Sequence, residues 1–487
     1  SSYAGVGILK SDDNGKTWKN IGLNDSHHIG KIVINPNNPN EIVVAVLGHL
    51  YSKNKERGIF KTIDGGVTWE NTLYIDESTG IIDLDISPNN FKIQFASSWQ
   101  KSRKAWDFKG NGEKSGIYKS VDSGNTWNLI STQKSGFPTG NGVGRIGLAV
   151  FDSKTLYAVV DNQFRRPKRK ASTEKTDLSK NYFESISKER FLKIDDLKLD
   201  KFLTTNSFPK KYNSTKIKEL VKNDLIKPSD LKLYLEDANT VMFETPIIGA
   251  QVYRSDDGGL NWTLKNSYYL DRLYNTYGYY FGKIHVSPVN KDDIYIYGVP
   301  FIKSNDGGVT YKSIDYPNVH VDHHDLWINP KNPKHLINGN DGGVNISYDD
   351  GENWLKLNQP SVGQFYTINV DNEIPYNVYG GLQDNGVWMA SSKSKESLRW
   401  HQTGQNNWKS IMGGDGMQVQ IDNRDSNIIY TGSQFGVYYR INKSKRTYIK
   451  PKHELGESPL RFNWQTPILL SPHNQDILYL GSNKLHT

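Results

Sequence analysis

Ser120-Val121-Asp122-Ser123-Gly124-Asn125-Thr126-Trp127 is one of six copies of a single pattern, the others lying at 11–18, 62–69, 255–262, 304–311 and 347–354. A Ser or Thr opens each copy, Asp holds the third position, Gly the fifth, Thr or Asn the seventh, and Trp or Tyr closes it. The third-position residues are Asp13, Asp64, Asp122, Asp257, Asp306 and Asp349, spaced by 51, 58, 135, 49 and 43 residues. This is the composition of a tight turn. Asp accepts hydrogen bonds from turn amides, Gly supplies a positive φ, and the hydroxyl satisfies a further group. The closing aromatic offers a large apolar body for packing between neighbouring units. Six copies are what a repeat requires, so a structural role is expected for these aspartates rather than catalysis or metal binding.

Outward from each turn lies a second recurrent segment, such as Lys31-Ile32-Val33-Ile34-Asn35-Pro36 followed by Ile42-Val43-Val44-Ala45-Val46-Leu47. Equivalents lie at 81–88, 145–150 with 156–160, 283–288 with 294–298, 325–330, 366–370 with 378–381, 417–421 with 428–432, and 467–472 with 477–481. Each reads as strand, Pro/Asn turn, strand. Two such strands and the two flanking a turn motif make four strands in 40 to 50 residues, the size of a β-propeller blade. The expected fold is therefore all-β, a propeller with about eight visible repeats.

The turn motif resembles the Asp-box, or BNR repeat, of sialidases, xyloglucanases and the sortilin family, where it lies between the two outer strands of a blade. The chain as a whole, including Val319-His320-Val321-Asp322-His323-His324 and Gly380-Gly381-Leu382-Gln383-Asp384-Asn385-Gly386, is similar to large BNR-repeat proteins of Bacteroidetes-type bacteria, labelled glycosyl hydrolases or sortilin-like. Their repeats run past both ends of this sequence, so the resemblance implies an excerpt from a larger or tandem array. The alternative is that residues 3–22 and 466–487 combine into one blade and close an eight-bladed ring. Because the turn motifs stop at Trp354, a boundary is expected near 359–365.

The 487 residues include 60 Lys+Arg, 52 Asp+Glu, 12% aromatics and no Cys. Such aromatic content excludes a disordered chain, and the lack of Cys excludes disulfides and thiolate metal sites. No apolar run approaches the roughly 18 residues of a membrane-spanning helix, so no transmembrane segment is expected. Of the net charge of +8, +6 falls within residues 162–245, leaving a near-neutral body that does not suggest nucleic-acid binding. That segment interrupts the repeat. It reads as a basic helical insertion with helices at 187–203, 214–226 and 229–235, and it opens on Arg165-Arg166-Pro167-Lys168-Arg169-Lys170. The run is either a solvated surface or a contact for an acidic partner or polyanionic glycan.

In a propeller blade, the turns between strands one and two and between three and four lie on one face, and the other loops lie on the opposite face. Residues just before the first strand or just after the second should thus gather around the central channel. Those positions hold His27, His28, His49, Trp99, Trp106, Arg145, Tyr280, His323, His324, Gln383 and Trp464 as candidate ligand contacts. Asp322, Asp341, Asp384 and Asp415 are the candidate catalytic carboxylates, since glycoside hydrolysis needs two flanking the bond. Three of them sit in Asn340-Asp341-Gly342-Gly343, Gln383-Asp384-Asn385-Gly386 and Gly413-Gly414-Asp415-Gly416, which equally suit turns. No metal or cofactor is expected. Adjacent His323 and His324 point to opposite sides of an extended segment, and a metal there would need a ligand from another blade, such as His27, His28 or His49.

Neither the arginine triad nor the Phe-Arg-Ile-Pro segment of sialidases occurs, and Gly5-Val6-Gly7 lacks the context of a dinucleotide fingerprint. The expected function is that of a secreted or cell-envelope recognition scaffold for a protein, peptide or glycan. The alternatives are a xyloglucanase-like glycoside hydrolase and a structural subunit of a cell-surface assembly.

Overall fold

The computed structural model describes residues 3–167, 178–236, 247–315, 318–357, 362–403 and 406–487. The protein is an all-β propeller built from four-stranded antiparallel sheets, in each of which the strands pair in chain order. It divides into two compact units, residues 1–167 with 245–357, and 168–244 with 358–487.

The first unit holds five blades. Their opening strands are Ile29–Asn35, Thr79–Ser87, Val143–Val150, Lys283–Val286 and His323–Ile328. A hairpin of Leu9–Lys10 and Lys19–Asn20 precedes them. The six repeated turns all belong to this unit and share one hydrogen-bond pattern. In each, the Ser or Thr hydroxyl donates to the Asp and accepts from the Gly amide four residues on. The Asp also accepts from the seventh-position amide and from that residue's side chain. Trp69 and Trp354 donate from their indole nitrogens to Ile21 O and Ile314 O, carbonyls of the preceding repeat.

The cores lie between sheets. Phe95 and Ile117 of the second blade pack with Ile146, Leu148, Val160 and Trp262 of the third. Opening strands are tied across blades by side chains two residues apart. Asp83 and Asp85 accept from the Leu148 and Val150 amides at 2.9 and 2.8 Å. An opening strand has a bare edge, and these carboxylates satisfy it.

The second unit repeats the device with neutral groups. Gln418 and Gln420 accept from the Ile468 and Leu470 amides. Its sheets open on Phe365–Val370, Val419–Ile421 and Ile468–Leu470, the last sheet having three strands.

The insertion differs from its expected form at its start and within its first helix. The strand Leu156–Arg165 runs to Arg165, which pairs with Ile247, so residues 162–165 are sheet. The expected helix over 187–203 is two, α1 Lys188–Leu192 and α2 Asp196–Thr205, because Asp195 caps the second by accepting from the Lys198 amide. Helices α3 Ser214–Lys222 and α4 Ser229–Leu235 follow. Phe183, Phe191, Phe202, Phe208, Ile217 and Leu231 form an independent core, which Leu455 joins. Lys168, Arg169 and Lys170 of the basic run, and residues 359–361 of the expected boundary, lie outside the described residues. Among the described residues no helix is long and apolar enough to cross a membrane.

Candidate functional site

Four opening strands of the first unit carry a bulge within their first residues, between Ile29 and Lys31, Ile81 and Asp83, Val143 and Ile146, and His323 and Asp325. One added residue shifts the alternation, and bulges of this kind re-aim side chains. Lys31, Asp83, Asp85, Arg145 and Asp325 of these strands, with His285 of the regular strand Lys283–Val286, line one cavity of about 430 Å3. Its charges are mutually compensated. Lys31 lies 3.5 Å from Asp83, and Lys283 lies 3.2 Å from Asp325. Burial works against ionising Asp83, but Lys31 and the Leu148 amide outweigh it and lower its pKa. Burial and the charge of Lys31 keep His285 neutral.

Arg145, expected at the head of the strand segment 145–150, sits two residues inside the strand Val143–Val150 and donates to Tyr279 O and Tyr280 O at 3.3 and 2.6 Å. Nearby, Asp161 is buried and held by both hydrogen-bond contacts of Gln163 Nε2 at 2.8 Å; burial pushes its pKa up to about 7.

Asp322, His323 and His324 are expected before the strand, but His323 already begins it. The bulge carries the chain's alternation so that His323 is 1% exposed, against Asn338 Oδ1 at 2.8 Å, and cannot reach a ligand. His324 faces outward. Its Nε2 meets Asp341 Oδ1 at 2.5 Å, and its ring lies edge-on to Tyr280 at 5.4 Å. Asp322 adopts φ +62°, and its carboxyl pKa is raised by burial and by the charge of Asp341. The two carboxylates each present an oxygen within 4.8 Å of the other. Asp322, His324, Asp341 and Tyr280 thus form one group at this rim.

A second group lies on the first blade. The rings of His27 and His49 stack at 3.7 Å, and His49 Nε2 lies 3.0 Å from Asp25 Oδ1. His28 instead turns inward, with Nδ1 3.0 Å from Gly48 O. Lys101 donates to His49 O at 3.2 Å, and burial followed by the charges of Arg57 and Arg103 brings its pKa down to about 7. Asp25 and Lys101 stand beside the expected positions His27 and Trp99 in the chain, and only the fold brings their side chains to His49.

Adjacent to Lys101, an extra hairpin of Ser102–Lys104 and Asp107–Lys109 projects from the second blade. Trp106 at its tip is 83% exposed, with Lys104 Nζ 6.0 Å from the ring centre. The Arg103 guanidinium lies over Phe108 at 5.2 Å and over Tyr51 at 6.0 Å. Trp99 is the opposite case. It is 5% exposed, its indole donates to Gly110 O at 2.7 Å, and it fills the base of the hairpin.

In the second unit, Asp415 accepts from the Asp384 amide at 3.0 Å and contacts Tyr366 Oη at 3.4 Å, and so braces a turn in which Asp384 has φ +60°. Trp464 Nε1 donates to Tyr366 Oη at 3.1 Å, and its ring meets Phe435 edge-on at 5.1 Å. The Gln383 amide donates to Gln364 O.

No protein-family model matches the chain, and no curated protein matches its sequence. Solved structures resemble it distantly. The GH74 xyloglucanase of Xanthomonas campestris matches at 12% identity and a TM-score of 0.35, over 99% of this chain and 68% of that one. The GH74 enzyme of Niastella koreensis matches at 15% and 0.35, over 97% of this chain and 63% of that one. YCF48 bound to D1 peptide matches at 8% and 0.29, over 83% of this chain and 91% of that one. Likeness at this level carries no argument about activity.

Proposed function

We propose that the protein is a recognition propeller of the cell exterior or envelope, binding an acidic peptide, protein or glycan at the rim of its first unit. The observation that carries this reading is the Trp106 hairpin. Trp106, 83% exposed at the tip of a hairpin that also carries Arg103, Lys104 and Phe108, is the kind of ring that anchors interfaces and stacks on sugar faces. Lys104 and Arg103 beside it favour a negatively charged ligand. The neighbouring cavity offers less, because its charges already serve each other and the blade edges.

A second reading, hydrolysis of a glycan, draws on Asp322 and Asp341. Burial and the charge of Asp341 raise the Asp322 pKa, as a general acid requires, and each carboxylate presents an oxygen within 4.8 Å of the other.

The deciding experiment places the purified protein on arrays of acidic and neutral glycans and peptides, with reducing-sugar release followed on the glycans. Binding without turnover, weakened at least tenfold in Trp106→Ala and falling with added salt, is the expected result. Release of reducing ends that disappears in Asp341→Asn would replace recognition with hydrolysis. Binding unchanged in Trp106→Ala would remove the hairpin from the site.

A further inference from the structure

We propose that Asp25, His27 and His49 bind a divalent transition-metal ion of the zinc class. One carboxylate oxygen and two imidazole nitrogens lie within 4.8 Å of one another. Two imidazoles and a carboxylate form a donor set suited to zinc, and three protein ligands leave a fourth position for water or for a donor group on a ligand.

One edge of the site, His49 to Asp25, already has the spacing of a bound ion. Tetrahedral zinc with bonds of about 2.0 to 2.2 Å separates its ligand atoms by roughly 3.3 Å. His49 Nε2 and Asp25 Oδ1 stand 3.0 Å apart. The stacked rings lie 3.7 Å apart in nearly parallel planes, so the His27 ring turns about its side-chain bonds to bring a nitrogen to the ion, which replaces the His49–Asp25 hydrogen bond by two coordinate bonds.

Supporting groups orient each donor, as they do around metal ligands. His49 Nδ1 is engaged by Ser52 Oγ at 2.7 Å, which leaves Nε2 for the ion. Asn54 Nδ2 holds Asp25 at both its backbone carbonyl, 2.6 Å away, and its Oδ2, 3.3 Å away. Arg57 donates to Leu47 O, His49 O and Ser52 O and so locks the loop that carries His49. His27 takes φ +56°, a conformation unfavourable for a residue with a Cβ. His tolerates it better than most side chains, and from it the ring lies over His49.

Nearby cations oppose the ion, but both are directed at carbonyl oxygens. Arg57 binds the three just named, and Lys101 binds His49 O. Glu56, whose Oε2 accepts from the Asp25 amide at 2.9 Å, adds a negative charge to the same loop. The open fourth position lies on the first blade, the blade of Tyr51, which Arg103 of the Trp106 hairpin overlies.

The test uses tag-free full-length protein dialysed against Zn2+ and, separately, Co2+, whose visible absorption reports coordination number. One Zn2+ per chain and an intense tetrahedral Co2+ band are expected. His49→Ala and Asp25→Asn should each weaken binding at least tenfold, with circular dichroism unchanged. Asp341→Asn, at the other acidic group, should leave stoichiometry and affinity as they were. No binding by the unaltered protein, binding that survives both first-blade variants, or binding lost in Asp341→Asn would each overturn the proposal. Should His49→Ala unfold, Asp25→Asn, which keeps the size and an acceptor oxygen, reads the same site.

Discussion

Asp161 illustrates how one side chain can oppose the fold that contains it. Its carboxyl is buried, receives both its short contacts from Gln163 Nε2, and has its pKa pushed up to about 7 from an ordinary 3.8. As pH rises from about 4, the unfolded chain loses this proton first while the folded one retains it, so stability declines up to about pH 7. Above that the folded state is also ionised and the penalty stays constant. Asn reproduces the protonated shape. Asp161→Asn should therefore melt with the unaltered protein at pH 4 and progressively above it toward pH 7, by several degrees, the gap then levelling off. Calorimetric melts across that range would show it, and parallel curves would contradict the assignment.

At the level of elements, the opening strand of each blade has to satisfy one edge without a neighbouring strand. Asp83 with Asp85 do so in the first unit, and Gln418 with Gln420 in the second. A carboxylate in this role needs a cation, and Lys31 supplies it. Asp83→Ala would leave the Leu148 amide without its acceptor and Lys31 without its partner. The expected loss is about 2 kcal/mol, since a buried amide loses its acceptor while Lys31, 42% exposed, keeps access to water. Urea denaturation measures it, and hydrogen exchange should speed up first at Leu148. The strands themselves were legible in the sequence, since alternation and Pro/Asn turns are local. The charges within them were not read as cavity groups, because Asp83-Leu84-Asp85 alternates like any half-buried strand and only the bulge before it decides which side faces inward. The insertion shows the converse. Its helical character was evident, but the division into α1 and α2 turned on the cap at Asp195.

Across the molecule, six turns of one chemistry give a common response to acid. Asp122 and Asp306 have their pKa values brought down to about 2, where burial acts upward and is outweighed by bonds from Thr126 and Thr310; the hydrogen bonds of Thr17 do the same for Asp13. Asp64, Asp257 and Asp349 are lowered too. A lowered carboxyl pKa stabilises the fold above about 3.8 and loses that contribution as pH falls toward 2. These groups are largely exposed, so each contributes modestly, but all six belong to one unit. Residues 3–167 with 247–357 should lose hydrogen-exchange protection cooperatively between pH 4 and 2, and a flat profile would contradict a shared turn chemistry.

The amino-acid order alone specifies the repeat, the turn within it and the all-β propeller, because hydrogen bonds spanning four residues and alternation of period two are encoded where they act. It also supplied a list of unusual residues on one set of loops. Which of these meet was decided only by tertiary structure. His324 joins Asp341 and Tyr280, whereas His323, its neighbour, is buried against Asn338. Trp106 stands at a hairpin tip, whereas Trp99 is interior. Asp25 comes beside His49 through loop closure on the first blade. A one-residue bulge reverses a side chain's direction, and the curvature that brings strands from separate repeats to one cavity is a sum of packing between sheets, so neither is written in any local stretch of the chain.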